Sequence, residues 1–127
     1  MELSKKKIQS FTDLEVWQKS HKLVLLVYSN TKNFPKEELF SLTSQMRRAA
    51  VSITSNIAEG FARQGFKEKL QFYCIAVGSL TELQNQLLIA KDLDYINQAE
   101  FEGIVEQATS AHKLLNSFIS KTKTFIR

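Results

Sequence analysis

The sequence predicts an all-α protein, an antiparallel up-down-up-down four-helix bundle, and three observations predict it. Only four Gly and one Pro occur in 127 residues, too few turn formers for an architecture of many short strands. Apolar residues recur at three- and four-residue steps in four separate stretches, the spacing that places them on one face of a helix. Short connections join the stretches, and four amphipathic helices so joined bury their stripes most simply by alternating in direction. A single domain is expected over residues 1–127, since a chain of this length buries about two thirds of its unfolded surface around one core.

The first helix is predicted over about 13–32. Thr12-Asp13-Leu14-Glu15 has the pattern of a capping box, in which the Thr12 hydroxyl and Glu15 carboxylate satisfy free amides, with Phe11 and Val16 spaced to staple the entry. Trp17, Val24, Leu25, Val27 and Tyr28 supply the apolar content, and Pro35 ends the helix by restricting Phe34. Residues 37–40 then turn into the second helix, 42–62, whose seam reads Leu42, Met46, Ala49, Ile53, Ile57. Gly60 and Gly65 bracket its end, and Gly65 suits a left-handed cap.

The third helix, 66–93, carries Leu70, Tyr73, Val77, Leu80, Leu83 or Gln84, and Leu87 at helical steps. Gly78 lies at its middle, where glycine costs about 1 kcal/mol relative to Ala, so close packing there is a reason to keep it. Asn97 and Glu100 form a second capping box for the fourth helix, 98–122, with Phe101, Ile104, Ala108, Leu115, Phe118 and Ile119 inward. Residues 4–10 and the end after Lys121 are expected to fray.

Composition narrows the function classes. The net charge of +4, from 17 basic and 13 acidic residues, permits an anionic partner without requiring one. The one cysteine, Cys74, cannot form an internal disulfide, and its neighbours Tyr73 and Ile75 suggest a buried thiol in a reducing cytoplasm. The longest uninterrupted apolar run, Leu23 to Tyr28, is too short to span a bilayer, and no apolar run follows Lys5–Lys7 to make an export signal.

Catalysis finds little support. His21 and His112 fall on different helices, and no HExxH, paired CxxC or repeated Glu-x-x-His gives metal-ligand spacing. No glycine-rich phosphate loop occurs, and Ser52, Ser55 and Cys74 lack a sequence-local base. A non-enzyme without cofactors is the expectation.

The residues that invite a function lie in Gln45–Gly60, where two adjacent arginines open a helix of small side chains. Arg48, Ser52, Ser55 or Asn56, Glu59 and Arg63 fall along one stripe displaced from the apolar seam. One reading puts Arg47 and Arg48, with Arg63 and Lys67 beyond the helix end, on phosphates, while Ser52 and Asn56 admit a neighbouring helix. The plainer reading pairs Glu59 with Arg63 at i,i+4 and uses Arg47 and Arg48 to bridge carboxylates such as Glu82 on another helix or subunit. Lys5–Lys7 make either a basic arm for a nucleic-acid backbone or a solvated tail. Trp17, Tyr28, Phe72 and Tyr73 are stacking platforms on one view and core on the other, and their spacing favours core.

A resemblance covers nearly the whole chain. Residues 11–18 (FTDLEVWQ), Phe34-Pro35, residues 45–53 (QMRRAAVSI), 55–60 (SNIAEG) and 76–83 (AVGSLTEL) look like the bacterial four-helix proteins encoded by intervening sequences within 23S ribosomal RNA genes. That family is similar in turn to the accessory variability determinant of diversity-generating retroelements, a basic pentameric barrel that binds nucleic acid and a reverse transcriptase. The resemblance implies a homopentamer, with RNA or DNA as partner and a reverse transcriptase where the gene belongs to a retroelement. The chain departs from the family's pattern at Thr54, often proline, and at Ser41, often glycine.

Two functions therefore stand side by side: an oligomer that binds RNA or DNA backbone through a basic surface, and a structural or adaptor protein with its arginine pair at subunit interfaces. The exposure and pairing of Arg47 and Arg48 discriminate between them.

Overall fold

A computed structural model describes residues 7–127. Four helices carry the described chain, with no strand among the described residues: α1 (Glu15–Thr31), α2 (Leu42–Ala62), α3 (Phe66–Asp92) and α4 (Gln98–Lys123). They pack in a closed circuit in which the backbones of α1 and α3 each run close beside α2 and α4, while α1 and α3 lie diagonally opposite, as do α2 and α4. This arrangement turns every apolar stripe toward one shared core, where Leu23, Val27, Met46, Ile53, Ile57, Leu80, Leu83, Leu87, Ile104 and Leu115 are essentially closed to solvent.

The seam of α2 explains its central place. Met46, Ala49, Ile53 and Ile57 are buried at steps of three and four, and Ala50 widens the buried strip. Small side chains let the neighbouring helix come close, and Gly60 is where that matters most. A Cβ there would lie 2.6 Å from Tyr73 Cε1 and 2.9 Å from Phe72 Cβ.

The chain enters α1 differently from the sequence expectation. Ser10, not Thr12, caps the start: its hydroxyl accepts from the Thr12 N–H, and the Asp13 carboxylate accepts from the Ser10 and Gln9 N–H groups. This box begins a short 3-10 turn, Phe11–Asp13, after which Leu14 is extended and buried and α1 starts at Glu15 without a side-chain cap. Ser10 is thus tied down rather than frayed. Lys5, Lys6 and the residues before them lie outside the described residues.

At the other end of α1, Pro35 leads into a 3-10 turn, Lys36–Glu38, and Glu38 caps α2 from there. Its Oε1 accepts from the Leu42 N–H and its Oε2 from the Tyr95 hydroxyl. Two hydrogen bonds to the charged form hold the Glu38 carboxyl below the usual carboxylate range, with Tyr95 the larger cause; the same bond raises Tyr95.

Two glycines also behave otherwise than expected. Gly65 has φ −85° and serves as the N-cap of α3, not as a left-handed cap. The left-handed residue is Asp94, φ 61°, which closes α3 in a Schellman arrangement: Tyr95 N–H donates to Ala90 O and Asp94 N–H to Lys91 O. Gly78 is exposed, and a Cβ there would meet nothing within 4 Å. Close packing inside the chain does not explain it. The Asn97–Glu100 capping box forms at the start of α4 as its spacing requires.

Candidate nucleic-acid interface

The cations singled out in the sequence separate into two groups at opposite ends of α2, and their surroundings differ. At the N-terminal end, Arg47 is half-buried. Its Nε donates to Thr31 Oγ1 at 3.0 Å and its guanidinium lies over the Tyr28 ring, 4.7 Å from the centroid. Arg48 is exposed, yet its guanidinium donates to Gln45 Oε1 at 2.8 and 3.2 Å and to Glu82 Oε2 at 3.1 Å. The Glu82 partner anticipated from sequence is present, on α3 of the same chain.

The polar stripe that follows also faces α3. Ser52 and Ser79 hydroxyls are 2.8 Å apart, and Asn56 Nδ2 donates to Ser52 O at 2.8 Å and to its hydroxyl at 3.1 Å. These side chains fasten two helices within one chain. Glu59 is exposed and makes no ion pair with Arg63; the Arg63 guanidinium instead covers the Phe72 ring at 4.7 Å. Four residues spaced along α2 therefore do three different things, although one wheel projection unites them.

The other end of α2 is a basic pole. Arg63 is the extended C-cap of α2 and Lys67 sits in the first turn of α3. Stacking of Phe66 on Phe125, centroids 5.0 Å apart, brings this corner against the end of α4, whose last turn carries Lys121 and Lys123. Phe61, Phe66, Phe118 and Phe125 line a cavity of about 400 Å³ beneath, with Lys69 and Lys121 in its wall. Arg63, Lys67, Lys121 and Lys123 are all exposed, and none forms an ion pair among the described residues.

Lys69 belongs to the same neighbourhood but is already employed. Its Nζ donates to Phe61 O at 2.6 Å and sits over the Phe61 ring, capping the carbonyl end of α2, where a cation is favoured. Burial lowers its pKa. Tyr73, at the base of the cavity, is pushed up to about 12 because burial disfavours the phenolate.

Sequence reasoning did not associate Lys121 and Lys123 with Arg63 and Lys67. The only local signal was two lysines in a helix's last turn, which also fits simple compensation of the helix dipole. The aromatic residues divide: Tyr73 is core, Trp17 stacks on His21 at 4.6 Å, and Tyr28 and Phe72 lie beneath arginines. Cys74 is exposed, contrary to expectation; residues adjacent in a helix point about 100° apart, so apolar neighbours say little about burial. Among the described residues no group of His, Cys, Asp and Glu could hold a metal, and no helix is long and apolar enough to cross a membrane.

The family model of 23S rRNA-intervening sequence proteins matches residues 12–117. The chain belongs to that family. A solved crystal structure from Bacteroides thetaiotaomicron, described as a protein of unknown function from the S23 ribosomal protein family, is similar to it at TM-score 0.75 and 25% identity. The match covers 83% of this chain and 95% of that one. No curated protein matches the sequence. The residues matched by the family model include both arginines, the Ser52–Asn56 stripe and Arg63 and Lys67, but stop before Lys121.

Proposed function

We propose that this chain is a non-enzymatic, self-assembling protein of the cytoplasm that binds RNA or DNA backbone through its basic pole without reading sequence. The observation that carries the reading is the convergence of Arg63, Lys67, Lys121 and Lys123 on one end, exposed and without carboxylate partners among the described residues. Unpaired cations release the counterions of a phosphate backbone at no internal cost, whereas Arg48 would first give up Glu82. A family named for sequences within ribosomal RNA genes is consistent with such a partner.

The topology within this proposal is up-down-up-down. Contacts between α2 and α3 support it, since Arg48 meets Glu82, Ser52 meets Ser79 and Gly60 meets Tyr73, numbers rising on one helix as they fall on the other. The assembly is a homopentamer on the strength of the family resemblance, and repeating one weak basic pole in several copies multiplies its avidity. Electrophoretic shifts at about 50 mM salt with structured RNA, duplex DNA and single strands test the reading: salt-sensitive binding to at least one supports it, and none overturns it.

The adaptor reading keeps one observation in its favour, the in-chain engagement of Arg47 and Arg48. On that reading the partner is another protein, and replacing the four cations of the pole leaves partner binding unchanged.

A further inference from the structure

We infer that the aromatic cavity beneath the basic pole is a nucleobase site: it takes one unpaired base of a single strand while the cations around it hold the neighbouring phosphates. The inference rests on the nucleic-acid reading above and deepens it, naming a single strand as the ligand and the cavity as the place where the strand is held. A paired base lies inside its stack and would have to be unpaired before it could enter.

The walls suit a flat ring. Phe61, Phe66, Phe118 and Phe125 line a space of about 400 Å³, within the range of about 300–1,000 Å³ typical of small-ligand sites. Phe66 and Phe125, 40% and 51% exposed, stack on each other and leave ring surface in water. Every base has a π-face that can cover such surface, whatever its identity.

Tyr73 is an observation independent of those walls. It lines the cavity and is only 1% exposed, yet its hydroxyl has no hydrogen-bond partner among the described residues. A buried phenol hydroxyl ordinarily has one, so a ligand in the cavity can supply what the chain does not. The hydroxyl both donates and accepts, and so serves the polar edge of any base. This agrees with binding that does not read sequence.

Charge selects the rest of the ligand. No acidic residue lines the cavity, Lys121 stands exposed in its wall, and Arg63, Lys67 and Lys123 occupy the same corner. An alkyl chain in this space would leave the Tyr73 hydroxyl unpaired, and a single carboxylate would leave most of the cations unused. A nucleotide within a strand engages both, placing its base against the rings and its phosphates on the cations.

Equilibrium binding of the full chain to a short oligothymidylate, and to an abasic strand of the same length, tests this. Both strands carry the same phosphates, so their salt slopes should agree. The oligothymidylate should bind roughly 5- to 150-fold tighter, the contribution of one stacked base. Phe125→Ala removes an exposed wall and Tyr73→Phe removes only the hydroxyl, so both variants should fold. The first should weaken oligothymidylate binding about tenfold and the second about fivefold, with affinity for the abasic strand unchanged in each. Equal wild-type affinities for the two strands overturn the base site and leave the backbone reading standing. Variants that bind oligothymidylate as wild type does, or that lose both strands alike, also overturn the base site. Wild type that binds neither strand overturns the nucleic-acid reading itself, a result distinct from the others.

Discussion

The two ends of α2 carry similar charge and opposite circumstances. At the N-terminal end Arg47 and Arg48 have a threonine, a tyrosine ring, a glutamine and a glutamate for company. At the C-terminal end Arg63 has only the Phe72 face, and Lys67, Lys121 and Lys123 have no polar partner among the described residues. A cation already paired gives up part of what it gains from a phosphate, so the more conspicuous motif is the poorer candidate for binding. The difference teaches that availability, rather than density of charge, marks the surface open to an anionic partner.

The comparison breaks most directly on nucleic-acid affinity. Replacing Arg63, Lys67, Lys121 and Lys123 together by Gln should cost about 10³-fold at ~0.1 M salt and flatten the log–log salt slope by about 0.9 per cation that sat on a phosphate. Replacing Arg47 and Arg48 by Ala should leave affinity within about threefold, because neither is free. Filter binding across a salt series reads both, and equal losses would show that the in-chain partners do not matter.

Next in size is the packing that holds the pole together. Gly60→Leu drives a side chain against Phe72 Cβ, which is anchored to the backbone of α3 and cannot swing aside. Such overpacking costs about 3 kcal/mol, seen as a lower midpoint in urea unfolding. Gly78→Ala should do the reverse, raising stability by about 1 kcal/mol through helix propensity alone. The two glycines look alike in sequence and differ in everything around them.

That contrast shows what was legible in the sequence and why. The seams of α2, α3 and α4 and the Asn97–Glu100 box were legible because each depends on residues three or four apart, the range over which a helix enforces its own geometry. The start of α1 was misread by two residues, since Ser10–Asp13 and Thr12–Glu15 both fit the capping pattern. Burial of Leu14 in extended conformation decides between them, a tertiary fact. The basic pole was illegible for the same reason: Phe66 and Phe125 meet only after the helices pack. Local spacing puts Arg48, Ser52, Asn56, Glu59 and Arg63 on one stripe, with Arg47 near its edge and Lys67 beyond the helix end, and tertiary contacts divide them.

A smaller effect concerns the N-terminal end of α2, where Glu38 holds the helix start to Tyr95. The Glu38 carboxyl is lowered below its ordinary value, so its contribution is present above the unfolded pKa and disappears as pH falls through the folded one. Tyr95 is raised, so its contribution is present below pH ~10 and disappears as pH rises through its folded value. Tyr95→Phe should therefore lower the melting temperature at neutral pH and converge with wild type in acid. A gap that persists below pH ~3 would assign the loss to packing instead.

The smallest effect is the ion pair itself. Arg48 and Glu82 are 60% and 41% exposed, so solvent screens their attraction and the pair is worth about 0.2–1 kcal/mol. A double-mutant cycle of Arg48→Ala and Glu82→Ala should return a coupling in that range which fades as salt rises to about 1 M. A coupling several times larger would mean that α3 and α2 are held together chiefly by this bridge rather than by the buried seam around Ile53, Ile57 and Leu80. Arg48 would then be structural in the strong sense, and less available to a phosphate than the exposed cations of the basic pole.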